Sequence, residues 1–186
     1  MTIRERFIEE ALLLLEEAGP GALTTRAVCD RVGVKAPTLY HHFGDSGGLV
    51  DAAVMTGFNR FLDHKRAQQA FDDPVEDLLA GWENYLLFAR EHPKLYAAMA
   101  AKYATGKPIP AAQEARAMLD RKLEALAAAG RLTVPPLAAA EIAWSTTHAA
   151  AMLIASVYPE QPTEEAIAGL RACVERLTLP PPEPKD

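Results

Sequence analysis

Between Val32 and Val50 the chain reads VGVKAPTLYHHFGDSGGLV, with a proline, a tyrosine and two adjacent histidines packed into two helical turns. Gly33 stands where a left-handed C-terminal cap belongs, and Pro37 suits a first helical turn, whose N–H groups lack intrahelical partners in any case. The stretch therefore predicts a helix end, a tight turn and a new helix from about Ala36. At about 100° per residue, Leu39 and Phe43 share one face and pack inward with Val34. Pro37, Thr38 and His41 then point to solvent, with Tyr40 and His42 on the flanks.

Upstream, Thr24 is a good N-cap for a short helix whose inward residues are Val28, Cys29 and Val32. A longer first helix runs from Thr2 to Ala18. Phe7, Ile8, Ala11, Leu14, Leu15 and Ala18 recur at helical spacing, Thr2 and Glu5 have capping-box spacing, and Gly19, Pro20 and Gly21 stop the helix. Two short helices joined by a Gly-containing turn, the second showing hydrogen-bonding side chains from its first turns, form the helix-turn-helix arrangement that enters a DNA major groove.

The segment LTTRAVCDRVGVKAPTLYHHF, Leu23 to Phe43, resembles the DNA-binding domain of the TetR (tetracycline repressor-like) family, and its LTTR and PTLYxH pieces are similar to the tetracycline repressors proper. The resemblance implies roles residue by residue. Thr24 and Thr25 would place hydroxyls and helix-terminal N–H groups against phosphates, and Arg26 would reach either a phosphate or a guanine edge. Lys35, Ala36, Pro37 and Thr38 would meet the groove floor, with Pro37 and Thr38 against thymine methyls. Tyr40 and His42 would hydrogen-bond phosphates and His41 either phosphate or base; for Tyr40 the alternative is that it covers the core edge.

Departures from the pattern carry their own expectations. Lys35 stands where the family usually has a capping serine, and Ser46 where it has a lysine opening the next helix. Gly47 and Gly48 follow, each about 1 kcal/mol poorer than alanine in a helix. A loosened helix start and weaker or redistributed backbone contacts are expected.

Beyond Leu49 the pattern is a series of longer helices: about Leu49 to Phe71, Pro74 to Glu91, Pro93 to Tyr103, Pro110 to Gly130, Pro135 to Val157 and Thr163 to Leu179. The expected fold is all-α, about nine helices, with an N-terminal three-helix bundle over 1–48, a larger helical ligand-binding and dimerisation domain over 49–179 and a Pro-rich tail over 180–186.

FAREHPKLYAAM and the Trp144 to His148 spacing resemble a subgroup of TetR-family C-terminal domains with a Trp, His, Gly signature, with Ala149 in place of the glycine. The resemblance implies a homodimer through helices eight and nine, where the alanines of Ala138 to Ala155 suit close helix approach or pack inside the subunit. It also implies a small, largely apolar or aromatic effector among helices five to eight, lined from Trp82, Tyr85, Phe88, Tyr96, Met99, Tyr103, Met118, Trp144, His148 and Met152. Ala104 to Pro110 is the expected entrance, with Lys102 and Lys107 beside it. The implied function is a repressor that binds a roughly palindromic double-stranded DNA operator and releases it when the effector binds. The alternative is an interaction module of the same fold with lost or weakened operator binding.

Composition bounds the rest. The chain has 186 residues, 49 % apolar, with net charge −6. The 20–46 segment is nearly balanced, Arg26, Arg31 and Lys35 against Asp30 and Asp45. The longest apolar run, Ala149 to Val157, is half a membrane span, and early glutamates spoil a signal peptide, so a cytoplasmic protein without membrane contact is expected. Cys29 and Cys173 show no metal or disulfide spacing; Cys29 reads as a small buried hydrophobe, with a redox role as the alternative. His41 and His42 diverge on a helix, so no metal site and no cofactor are expected. The five histidines lie scattered, without a nucleophile elbow or a phosphate loop, which argues against an enzyme.

Overall fold

The computed structural model describes residues 1–69, 71–156 and 164–180, and among these the chain is a set of nine α-helices. The first, α1 (Ile3–Ala18), opens with a capping box: Glu5 N donates to Thr2 Oγ1 at 3.2 Å and Thr2 N to Glu5 Oε2 at 2.7 Å. A single 3-10 turn (Pro20–Ala22) leads to α2 (Thr25–Val32), capped by Thr24, whose hydroxyl accepts from Ala27 N. Gly33 adopts φ 76°, ψ 34°, the left-handed conformation the turn demands. Next comes α3 (Ala36–Phe43). Phe7, Val28 and Leu39 are completely buried where the three helices meet, and Phe43 sets its ring edge-on to Phe7 at 5.8 Å. Arg6 bolts α1 to the end of α2 by donating to Val32 O at 2.9 Å.

The fourth helix, α4 (Ser46–Arg66), begins three residues earlier than expected, and its start is not loose. Asp45 caps it by accepting from Gly48 N at 2.8 Å. The glycine at 48 is a close-approach residue: a Cβ there would lie 2.1 Å from Phe43 O. The helix also ends early, at Arg66 rather than Phe71, because the following chain turns to start the next one. Phe71 N donates to Asp77 Oδ1, and Asp73 caps through Val75 N.

That next helix is α5 (Pro74–Glu91), followed by α6 (Pro93–Tyr103), α7 (Pro110–Ala128), α8 (Pro136–Ala155) and α9 (Glu164–Glu175). The last stops at Glu175, short of Leu179, because the chain becomes extended there: Thr178 bridges Leu132, Thr133 N donates to Leu177 O, and Leu179 N donates to Arg131 O. Val157, Thr163 and residues 181–186 of the expected tail lie outside the described residues. The buried core is continuous from Phe7 to Leu177. α4 is the shared spine, packing on α1 and α3 at one end and on α5, α6 and α7 along its length. No helix among the described residues is long and apolar enough to cross a membrane.

Candidate functional site

The first group of expected residues is presented on one surface. Leu39 is buried, and Ala36 is half-buried against the core, so the backbone of α3 is fixed from below. Lys35, Pro37, Tyr40 and His41 are exposed and Thr38 is half-buried. Tyr40 is 47 % exposed and so is not a core-edge cover. His42 is half-buried, its ring 6.4 Å from that of Phe7, which makes it a supporting side chain as well as a surface one. Lys35 occupies the N-cap position of α3 without a side-chain cap bond. On α2, Thr24 is exposed and its O–H remains free to donate, Thr25 is half-buried, and the Arg26 side chain is 92 % exposed, 3.8 Å from Asp30. Arg31 is turned away to Glu17 on α1.

The second group lies within the C-terminal helices and splits between two cavities. An aromatic cavity of about 20 Å³, partly open to solvent, is lined by Tyr85, Tyr96, Met99, Tyr103, Trp144 and His148 together with Phe58, Phe61 and small residues of α6 and α7. Beside it a narrow inner cavity of about 40 Å³ is walled by Trp82, Tyr85, Met118 and Trp144, and also by Lys65, Leu78, Leu119, Lys122 and Thr147. Tyr85 and Trp144 belong to both walls. Phe88 lines neither, being packed on Phe61 at 5.0 Å and His92 at 4.9 Å. Met152 lines neither as well, because it lies 42 % exposed on the outer side of α8.

Periodicity did not offer Leu78, Leu119, Lys122 or Thr147, nor Phe58, Phe61 and Lys65. The last three sit at i, i+3 and i+7 on α4, a helix read as a link, and that spacing was the available signal. Lys65 is half-buried, and burial together with the charge of Lys122 holds its ammonium down at about 8.

A polar chain crosses the shared wall. His148 Nδ1 is 3.2 Å from Trp144 O, and a carbonyl only accepts, so Nδ1 carries the proton. Nε2 then accepts from the Tyr85 hydroxyl at 3.2 Å, and the Tyr85 oxygen is left to accept from Tyr96 at 3.4 Å. Burial holds His148 below its ordinary value and so favours this neutral ring; it pushes Tyr96 up to about 12 and holds Tyr85 well above the ordinary tyrosine value. Trp82 is buried, and its indole N–H has no acceptor.

The α6–α7 connection borders an open cleft lined by Tyr103, Gly106, Lys107, Pro108 and Ile109, which shares Tyr103 and Ala112 with the aromatic cavity. Lys102 is committed to Asp51 on α4 at 2.6 Å, which leaves Lys107 as the exposed cation at that mouth. At the other end of α6, bonds tie it to α1: Lys94 donates to Glu17 O at 2.5 Å and His92 Nδ1 lies 2.8 Å from Glu16. Thus α6 touches both the cavity and the N-terminal helices.

Cys29 is buried, and burial followed by Asp30 raises its thiol, opposite to what a reactive thiolate needs. Among the described residues no three His, Cys, Asp or Glu side chains converge as a metal site.

Comparison with known proteins agrees with this division of labour. Residues 7–53 match the family described as bacterial regulatory proteins, tetR family, and residues 78–177 match the tetracyclin repressor-like C-terminal domain. The chain is 34 % identical over 101 residues to the class C tetracycline repressor protein of Escherichia coli, covering 50 % of this chain and 44 % of that protein. It is 32 % identical over 98 residues to an uncharacterized HTH-type transcriptional regulator of Mycobacterium tuberculosis, covering 51 % and 44 %. The chain thus spans less than half the length of the curated relatives it matches. Similar solved folds include a protein of unknown function from Rhodococcus sp. RHA1, with TM-score 0.78, 23 % identity and coverage of 96 % of this chain and 97 % of that one. Another is a protein from Saccharomonospora viridis in complex with choline, with TM-score 0.76, 14 % identity and coverage of 94 % and 96 %. With one family description covering the helix-turn-helix and a second covering more than half of the chain, this protein belongs to the TetR family of bacterial regulatory proteins.

Proposed function

We propose that the protein is a dimeric repressor that holds a roughly palindromic operator and releases it when a small molecule enters the C-terminal helices. Residues 1–48 are the DNA-binding head in this reading and residues 49–179 the effector-binding and dimerisation unit. The observation that carries it is α6, which lines the aromatic cavity through Tyr96, Met99 and Tyr103 and is bonded to α1 and α4 through Lys94 and Lys102. A ligand that favours a different seating of α6 therefore acts on the head directly. A hundredfold preference for the released arrangement is about 2.7 kcal/mol of coupling.

On DNA, Lys35, Ala36, Pro37 and Thr38 meet the groove floor, while Thr24, Thr25, Tyr40 and His42 hold phosphates, His41 meets phosphate or base and Arg26 reaches phosphate or guanine. Support comes from the packed floor under α3 and the exposure of Thr24, Arg26, Lys35, Pro37, Tyr40 and His41 above it. The dimer forms through α8 and α9. Most alanines of α8 pack inside the subunit, so the contact falls instead to the exposed Ile142, Ala149, Met152 and Leu153 with Ala168 and Gly169 of α9. Two-fold symmetry then sets the recognition helices about 34–36 Å apart. The relative solved with choline supports small-molecule binding by this fold. Such a regulator works in the cytoplasm.

Selection of bound sequences from a random duplex library, repeated at higher salt, tests the reading. An enriched palindrome with steep salt dependence is the expected result. Absence of enrichment would replace it with an interaction module that has lost its operator.

A further inference from the structure

The inner cavity carries one positive charge that its walls do not neutralise. Two lysines line it, Lys65 from α4 and Lys122 from α7. Lys122 Nζ is 2.6 Å from Asp77 Oδ2 and also donates to Asp77 O at 2.8 Å, so this pair is satisfied. Lys65 has neither a hydrogen bond nor an ion pair among the described residues; its ammonium lies 5.7 Å from the ring centres of both Phe61 and Tyr85. Trp82, which lines this cavity and also the cleft beside α9, is buried with an indole N–H that has no acceptor. Buried donors are nearly always satisfied in folded proteins. One orphaned indole N–H and one half-buried, unpaired ammonium among the lining residues describe a site that lacks its acceptor.

We infer that the inner cavity takes a monocarboxylate effector whose carboxylate meets Lys65 and Trp82 and whose flat or aliphatic body lies against Leu78, Met118 and Leu119. This rests on reading the C-terminal helices as the effector-binding unit. Charge-assisted hydrogen bonds are stronger than neutral ones, and a carboxylate has lone pairs for both donors. Desolvation usually offsets a buried ion pair, but Lys65 is already half-buried, so binding strips less water from it than from an exposed lysine. A cationic ligand such as choline would instead face the ammonium of Lys65. At neutral pH Lys65, held at about 8, is still mostly charged. The titratable groups facing it are Lys122 from α7 and Asp77 and Tyr85 from α5. An arriving carboxylate raises the Lys65 value, so binding at pH 8 takes up protons.

Calorimetric titration of the full chain at pH 8 with 2-naphthoate and decanoate, against their neutral counterparts 2-naphthamide and 1-decanol, tests this. The expected result is at least about tenfold tighter binding of a carboxylate than of its neutral partner, with proton uptake seen by comparing buffers. Lys65→Met, checked for folding by circular dichroism, collapses the ratio of carboxylate to neutral-probe affinity toward one, and Lys65→Arg restores it. Equal or tighter binding of the neutral probes overturns the carboxylate while leaving the effector unit standing. A preference that survives Lys65→Met, or no binding by either carboxylate, also overturns it. Operator selection without ligand tests the DNA-binding reading independently.

Discussion

The head and the C-terminal helices use opposite geometries. In the head, a core of Phe7, Val28 and Leu39 is filled solid, and the polar groups proposed to meet DNA stand outside it on α2 and α3. In the C-terminal helices the polar groups proposed to meet the effector, Trp82 and Lys65, and the neighbouring His148 and Tyr85 line incompletely filled space. A surface that must fit a rigid duplex benefits from a solid floor. A site that must change a helix's seating benefits from a floor that is not finished until the ligand arrives.

The largest expected effect comes from making the head resemble the body. Leu39→Ala opens a void under α3 and should lower stability by about 2–5 kcal/mol, read by urea denaturation, with operator affinity lost in parallel. If the loss is below about 1 kcal/mol, the head is not close-packed and the contrast fails.

Second is Gly48→Ala. Helix propensity alone favours alanine by about 1 kcal/mol, whereas the approach to Phe43 O should turn this into a net loss of about 1–3 kcal/mol. Gly47→Ala meets only the Asp45 side chain at 3.1 Å and is expected to stay within about 1 kcal/mol of the parent. Equal effects at the two positions would show that the junction has room.

Third, the body should gain from losing its unfinished group. Because Lys65 is held at about 8 in the folded chain, the unfolded chain binds more protons between there and the ordinary lysine value. Stability therefore rises with pH above 8. The rise ends near pH 10, where tyrosines ionise in the unfolded chain while the buried Tyr85 and Tyr96 stay neutral. Lys65→Met should raise stability at pH 7 by about 1–3 kcal/mol and flatten that rise, as thermal melts from pH 7 to 10 would show. His148 acts at the other end: its folded value is depressed, so stability falls as pH drops below its ordinary 6.5.

The smallest change is Tyr40→Phe. Removing one phosphate hydrogen bond should weaken operator binding by about 1 kcal/mol and leave the melting temperature unchanged, since the ring is half exposed. A lower melting temperature with unchanged affinity would move Tyr40 into the packing.

Local chemistry explains why the head was so legible. Thr2, Glu5, Thr24 and Gly33 each determine their own backbone within a few residues, so caps and turn could be read directly. The start of α4 was misjudged because the propensity cost of Gly48 is visible in sequence, while the Phe43 carbonyl that makes it necessary is a tertiary contact. The aromatic groups of the body were nameable as a supply, and Tyr85, Tyr103, Trp144 and His148 did gather. Which aromatics face a cavity depends on helix rotation: Phe88 turned to Phe61, and Met152 turned outward. Lys65 was missed because a lysine on a linking helix is ordinarily solvated, and only the placement of α7 and α5 around it makes it otherwise.

Gly57 of α4 brings a last consequence. A Cβ at this position would lie 2.7 Å from Leu95 Cδ1 of α6, so the two helices meet with no side chain of α4 between them there. The crossing is filled from one side only, by the tip of the Leu95 side chain. The joint therefore has its give in that one side chain, and a tilt of α6 beyond what Leu95 absorbs by changing rotamer would bear on the backbone of α4.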